Sequence, residues 1–393
     1  MECSKKQHIK SVNGVLLLMI LGALMAFTSL STDIYLPAMP QMALDLGGRA
    51  ELTVTGFLLG FAFAQLVWGP ISDRIGRKIP LYIGMVLFVI GSIGCAMSET
   101  IEQMVFWRIF QAFGACTAPM LARAIVRDMF DKTRAVQLMS TLMIIMAIAP
   151  IGGPLLGGQL LKIGSWHTIF YLLAAIGVLM FCSLWWLPET RPQEKRANGA
   201  FGLVFRNYRQ LLRDRNFMRY TLCLTFYYVG QYAFIVGSPK VYIDFFHVDP
   251  QHFGWLFGLN IAGVMLVSFA NRLLVKRFSM DQLLRFATLF ISLIGGLLAF
   301  FAYTRIGGIV SIIISVFGYF VVVGIIGSCA AVSALDGIPE MAGSGSALMG
   351  SLQYGSGIIS SLLLAVFSDG SAWTMAWIMA LFALASAMMT WRK

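Results

Sequence analysis

Residues 52–98 read LTVTGFLLGFAFAQLVWGPISDRIGRKIPLYIGMVLFVIGSIGCAMS. Two apolar runs of about twenty residues each flank a short stretch, Gly69 to Lys78, that carries Asp73, Arg74, Arg77 and Lys78. A helix needs ~20 apolar residues to cross a bilayer. A membrane β-barrel strand is shorter and alternates polar with apolar residues, which these runs do not. The stretch therefore predicts two membrane-spanning helices joined at one membrane face.

The same pattern extends along the whole chain. Of its 393 residues, 58% are hydrophobic and 12% charged. Soluble domains are roughly half apolar and a quarter charged, so a soluble globular protein, a disordered chain and a secreted disulfide scaffold are excluded. Apolar runs predict twelve helices near 12–36, 52–71, 79–98, 102–124, 136–160, 166–187, 218–240, 252–275, 281–303, 308–331, 341–366 and 371–391. The N-terminal run has a basic start like a signal peptide, but its length and the many spans behind it make it an uncleaved first helix. One long polar connector divides the chain. The expected organisation is an all-α membrane protein of two pseudo-symmetric six-helix bundles, 1–188 and 218–393, with a cytoplasmic linker at 189–217. A faint internal repeat agrees: Asn271, Arg272, Lys276 and Arg277 sit between helices eight and nine where Asp73, Arg74, Arg77 and Lys78 sit between two and three. The six cysteines (Cys3, Cys95, Cys116, Cys182, Cys223 and Cys329) form no CxxC pair or metal spacing and read as small core residues.

Net charge is +11. With the N-terminus inside, 24 of the 29 Lys and Arg fall in inside segments and four in outside loops (Arg49, Lys162, Lys240 and Arg305), leaving Arg108 within helix four. Excess Lys and Arg mark cytoplasmic loops. The basic balance is thus topology rather than a nucleic-acid footprint. Both termini are expected in the cytoplasm.

Asp33 and Arg108 are the charges expected inside the membrane. Such residues are costly in lipid and mark functional sites. Both fall in the outer half at similar depth, close enough in principle to pair or share water. The alternative is a static ion pair at a helix end. In the 69–78 connector, Gly69 and Gly76 permit a tight turn and close helix approach. Asp73, Arg74 and Arg77 can latch helix ends, with Arg127 at the same face as a partner for Asp73. Helix five carries Pro150, Gly153, Pro154, Gly157 and Gly158, residues that bend a helix and admit close neighbours. That suits gating of a cavity, or close packing alone. Helix seven presents Tyr228, Gln231 and Tyr232 on one face. With Asn260, Gln353 and Tyr354 they suit a pocket for amphipathic molecules. Taken singly, each also reads as an ordinary core or interfacial residue. The four histidines lie in termini and connectors, and no hydrolase, metalloprotease or phosphate-loop motif is present.

These residues resemble the major facilitator superfamily, in particular its twelve-helix drug:proton antiporters. Gly69–Lys78 looks like the superfamily's loop motif, Arg108-x-x-Gln111-x-x-Gly114 like its helix-four motif, and Gly153-Pro154-x-x-Gly157-Gly158 like the helix-five antiporter motif. Ser31-Thr-Asp33-Ile-Tyr35-Leu-Pro37 and Ala342–Ala347 with Gln353 resemble the bicyclomycin/chloramphenicol-resistance (Bcr/CflA) subfamily. Ala149 in place of a glycine, and Trp166-His167 in place of Trp-Arg, depart from that pattern. The resemblance implies proton-coupled export of drugs by alternating access, with no enzyme activity and no cofactor beyond the proton gradient. It assigns Asp33 and Arg108 to coupling, and Asp73 and Arg127 to a cytoplasmic latch near the start of helix eleven. Tyr35 and Gln111 join the expected substrate cavity. The expected partners are a small-molecule drug, protons and membrane lipid, with the chain a monomer. Export of a sugar, amino acid or dipeptide on the same fold is the alternative. A polytopic membrane enzyme or sensor, or a passive channel, is a further one.

Overall fold

The computed structural model describes residues 14–391 apart from 131, 192–200, 337, 339 and 340. Cys3, Lys5, Lys6, Lys10, Lys195, Arg196, Arg392 and Lys393 lie outside the described residues. Among the described residues there is no strand. Twelve long helices account for most of them. They are α1 (Gly14–Asp33), α2 (Glu51–Ile75), α3 (Lys78–Ala96), α4 (Ile101–Met129), α5 (Lys132–Ile163) and α6 (Trp166–Ser183). After a short helix at Phe201–Leu211 come α7 (Arg215–Pro239), α8 (Pro250–Leu274), α9 (Met280–Thr304), α10 (Gly308–Phe320 and Val323–Leu335), α11 (Ala342–Phe367) and α12 (Trp373–Trp391). Among the described residues, ten segments are long and apolar enough to cross a membrane. The chain is a multi-pass membrane protein.

Local signals set where the helices begin. Thr100 accepts a bond from the Gln103 amide at the start of α4, and Asp214 and Asp249 do the same for α7 and α8. Ser279 and Gln282 form a reciprocal capping box on α9. Two helix ends overrun the apolar runs. α2 continues through Gly69, Pro70 and Asp73 to Ile75, and α4 continues to Met129. Most of the expected 69–78 connector is therefore helix. The turn itself is Gly76-Arg77, with Gly76 at φ 100°, where L side chains are strained. Gly69 is helical with open space around its missing Cβ, so it serves no close approach. Hydropathy reports the bilayer, whereas backbone hydrogen bonding carries a helix beyond it.

Among the first six helices, α4 packs against both α2 and α3, α3 against α6, and α1 against α5. Among the last six, α12 packs against α7 and α9, and α7 against α10 and α11. The most extensive contacts joining these sets are α2 with α11 and α5 with α8. The ends of α2, α4 and α9 that carry Arg74, Arg127 and Arg285 lie on one face, called here the basic end. At the opposite end the joining contacts are tight. Gly158 faces the Pro250 carbonyl, Gly254 faces Leu155, and the Thr55 hydroxyl lies 2.6 Å from that of Ser361. An ion pair of 3.6 Å joins Glu51 of α2 to Lys240 beyond α7. Toward the basic end α2 and α11 part beyond the Gln65–Gly350 contact, around a cavity of about 480 Å³.

Candidate functional site

Asp33 is the last residue of α1 and is buried at 6% exposure. The Thr32 hydroxyl donates to its carboxylate at 3.0 Å. Its Cβ lies against the bare backbone of Gly153 in α5. Among the described residues, no Lys or Arg is within ion-pair distance of it. The expected proximity of Asp33 to Arg108 is not a direct pairing, and the reason is visible in how Arg108 is held.

Arg108 is completely buried. Its guanidinium lies 4.4 Å from the ring centres of both Tyr35 and Phe57. It donates to the backbone carbonyl of Ser31 at 3.2 Å and, through Nε, to that of Thr53 at 3.4 Å. A bond to the Gln111 side chain continues through Gln111 Nε2 to the Ser92 hydroxyl at 2.7 Å. Ring faces and carbonyl dipoles thus stabilise the cation without a carboxylate. Nη2 has no protein partner. One side chain therefore ties α1, α2 and α4 together, and through Gln111 reaches α3. It grips α1 two residues before Asp33, so it fixes where the carboxyl sits. Tyr35, bonded to Thr53 at 3.2 Å, and Gln111 are both fully enclosed in this cluster rather than lining an open cavity.

The aromatic residues expected to form a pocket do gather. Tyr228 and Tyr232 of α7 have ring centres 6.3 Å apart, Tyr232 and Tyr354 of α11 are 6.4 Å apart, and Tyr354 meets Phe61 of α2 at 4.0 Å. Tyr232 and Tyr354 lie within electrostatic reach of Asp33. Gln231 stays on α7 with a buried, unpartnered Oε1. Asn260 is buried on α8 and donates to the Leu256 carbonyl within its own helix. Gln353 is half-buried on α11.

In α5, Pro150 and Pro154 lie inside the helix. Gly153 faces Asp33, Gly157 abuts the carbonyl of Ile34, and Gly158 meets α8. The glycine run is thus the place where α1, α5 and α8 meet backbone to backbone.

At the basic end the expected Asp73–Arg127 contact is replaced by another network. Asp73 pairs with Arg77 at 2.9 Å and with Arg191 at 2.7 Å. Arg77, only 5% exposed, also pairs with Asp128 at 2.9 Å and donates to the Ser72 hydroxyl at 2.8 Å. Glu189 accepts from the backbone N–H groups of Arg77 and Lys78 at 2.9 and 3.1 Å, placing a carboxylate at the N-terminus of α3. Arg127 and Asp128 are neighbours on α4. It is Asp128 that meets the start of α3, and Arg127 faces the cavity, with no carboxylate at ion-pair distance among the described residues. Arg74 and Asp73 remain on the last turn of α2. Asp128, Glu189 and Arg191 were missed in the sequence. For Asp128 and Glu189 the signal was scarcity, because acids are few on a face this basic.

A model of the Major Facilitator Superfamily matches residues 19–361. The chain belongs to the Major Facilitator Superfamily. It is 36% identical over 357 residues to the MFS-type transporter YdgK of Bacillus subtilis, with 88% of each chain covered. It is 30% identical over 352 residues to a bicyclomycin resistance protein homolog of Haemophilus influenzae, again with 88% of each covered. Multidrug resistance protein D of Escherichia coli is 27% identical over 90% of each chain. These names agree with the Bcr/CflA resemblance. Solved structures of a mutant nucleoside transporter NupG (TM-score 0.78, 16% identity, covering 97% of this chain and 100% of that one) and of the xylose transporter XylE from E. coli (TM-score 0.72, 15% identity, covering 96% and 98%) share the fold. This member of the superfamily is a transporter and not an enzyme.

Proposed function

We propose that this transporter exports small amphipathic drugs across the bacterial inner membrane in exchange for protons. The observation that carries the reading is Asp33, a buried carboxyl at the α1–α5 contact with no cationic partner among the described residues and with a tyrosine cluster in electrostatic reach. Arginine keeps its charge at physiological pH, so of Asp33 and Arg108 only Asp33 can gain and lose a proton. Protonation from outside and release inside, alternating with drug binding, yields exchange. A lone acid near a fixed arginine favours neutral, moderately lipophilic antibiotics over strong cations. The names of the resistance proteins among its relatives support the same cargo.

In this reading the basic end is cytoplasmic, both termini lie there, and the structure stands with its outer end closed. Residues 1–188 and 218–393 rock as two bundles about a midplane site, joined by the 189–217 linker, and the chain works as a monomer. The network of Asp73, Arg77, Asp128 and Glu189 holds α2, α3 and α4 as one body, with Asp73 available to the start of α11 when the inner end closes.

The reading is tested by efflux from cells and everted vesicles with a panel of antibiotics, with and without an uncoupler. Uncoupler-sensitive export of several antibiotics is expected. Export of sugars, amino acids or dipeptides with no effect on drugs would replace the cargo assignment. For the latch, Asp128→Asn is expected to slow turnover about as strongly as Asp73→Asn, by about tenfold, while drug affinity changes less than about threefold, since charge-assisted bonds are each worth ~1.5–3 kcal/mol. Equal losses of affinity and turnover would refute the latch.

A further inference from the structure

The cavity at the basic end is lined by none of the residues expected to bind substrate. Two of its wall residues point to a ligand. Gln65 of α2 is 8% exposed, lies over the bare backbone of Gly350, and has a buried Oε1 with no partner. Buried polar atoms are normally satisfied, so an orphan acceptor in a cavity wall marks a place where a donor belongs. Arg123 of α4 donates through Nε to the Pro119 carbonyl at 3.0 Å, and among the described residues no carboxylate lies within ion-pair distance of it. Asp73 is the acid in the described wall, and its charge is already met by Arg77 and Arg191. The cavity is therefore net cationic on its α4 side, with Arg127 one turn beyond Arg123. Met120, Leu121 and Met139 give it an apolar flank. Gln65 also lies one helical turn from Phe61, whose ring centre lies 4.0 Å from that of Tyr354, and Arg123 is in electrostatic reach of Tyr354. The cavity thus abuts the aromatic cluster beside Asp33.

We infer that this cavity is a docking site for an amphipathic solute that carries an anionic oxygen group beside a hydrogen-bond donor, held between Arg123 and Gln65. The inference rests on the transport reading only in treating the solute as cargo that halts here on its way from the cytoplasm toward the outer side. Organic cations are disfavoured by the same field.

The test is calorimetric titration of the full-length protein in phosphatidylcholine nanodiscs with three probes. 4-Hydroxyphenylacetate has both groups, phenylacetate lacks the hydroxyl, and tyramine reverses the charge. The expected order is 4-hydroxyphenylacetate, then phenylacetate, then tyramine. Arg123→Gln should weaken 4-hydroxyphenylacetate by about tenfold or more, and Arg123→Lys by only a few-fold, since one charge-assisted contact is worth about that factor. Gln65→Leu should abolish the preference for the hydroxylated probe. Tyramine binding as tightly as 4-hydroxyphenylacetate, or Arg123→Gln binding unchanged, overturns the inference. In discs containing phosphatidylglycerol the affinity should hold. Its loss there assigns the site to the lipid headgroup and overturns the inference as well. Drug export driven by a pH gradient, read in the same preparation, reports on the proposed function separately.

Discussion

Asp33→Asn is expected to reduce pH-gradient-driven export in everted vesicles to the level of vesicles without the protein, a loss of at least about tenfold, while drug binding to the purified protein changes by no more than a few-fold. The substitution preserves shape and one acceptor oxygen. The Thr32 hydroxyl, 3.0 Å from the carboxylate, still has an acceptor, and the Gly153 backbone still meets the same Cβ. What is removed is the capacity to exchange a proton. If coupling is carried there, a gradient across the membrane no longer biases the cycle, because a ligand shifts an equilibrium only through a difference in its binding to the two states. The expected signature is therefore a split: binding kept, coupling lost. Asp33→Glu should retain part of the export, since the titrating group survives, although its extra methylene crowds the α5 glycines. Full gradient-driven export by Asp33→Asn would remove the proton role from this residue. A parallel loss of binding would make Asp33 a drug contact instead.

The helices were legible because a spanning helix needs an unbroken apolar run, and each run became helix to within a few residues, the 308–331 run in two pieces. Helix ends were less so. Residues 69–75 and 125–129 are polar or mixed, and only the backbone shows that they continue α2 and α4. The site divides in the same way. Asp33 and Arg108 stood out as charges in apolar runs, and both are buried. Their relation did not follow, because sequence pairs unlike charges, whereas Arg108 is satisfied by carbonyls, an amide and two aromatic rings. Backbone acceptors leave no mark in the sequence. The basic-end network failed for a related reason. Arg127 and Asp128 are adjacent, and which of them faces α3 is set by the rotation of α4 about its axis. Composition also concealed Gln65 and Arg123, since a glutamine in an apolar helix and an arginine near a membrane face are unremarkable until a cavity opens between them.

Gly157 carries the second large effect. A Cβ built there falls onto the carbonyl oxygen of Ile34, with the Pro37 ring at 3.6 Å, so both obstacles belong to the stretch just past α1 and one of them is backbone. A rigid carbonyl cannot swing aside as a long side chain would. Gly157→Ala must therefore push α5 away from α1 in the arrangement captured here, in which the end opposite the basic residues is closed. Overpacking of this kind costs ~1–3 kcal/mol. Because the next residue, Gly158, carries the α5–α8 contact between the two bundles, displacing α5 weakens the closed end by a similar amount, about five- to 150-fold in the balance between closed and open. Transport that alternates between two arrangements should fall by a similar factor. Gly152 supplies the control. It lies in the same helix and has nothing within 4 Å of its missing Cβ, so Gly152→Ala is expected to transport normally and, by helix propensity, to be no less stable. The two variants differ in what the new methyl group meets, not in what it does to the helix itself. The direct readout is labelling of Thr55→Cys, in a chain otherwise free of cysteine, by a membrane-impermeant thiol reagent added from the side opposite the basic end. Thr55 sits at the α2–α11 closure, where its hydroxyl lies 2.6 Å from that of Ser361. Labelling should rise with Gly157→Ala and stay at its basal level with Gly152→Ala. Normal transport and unchanged labelling in Gly157→Ala would mean that α1 and α5 need not approach this closely for the outer end to shut.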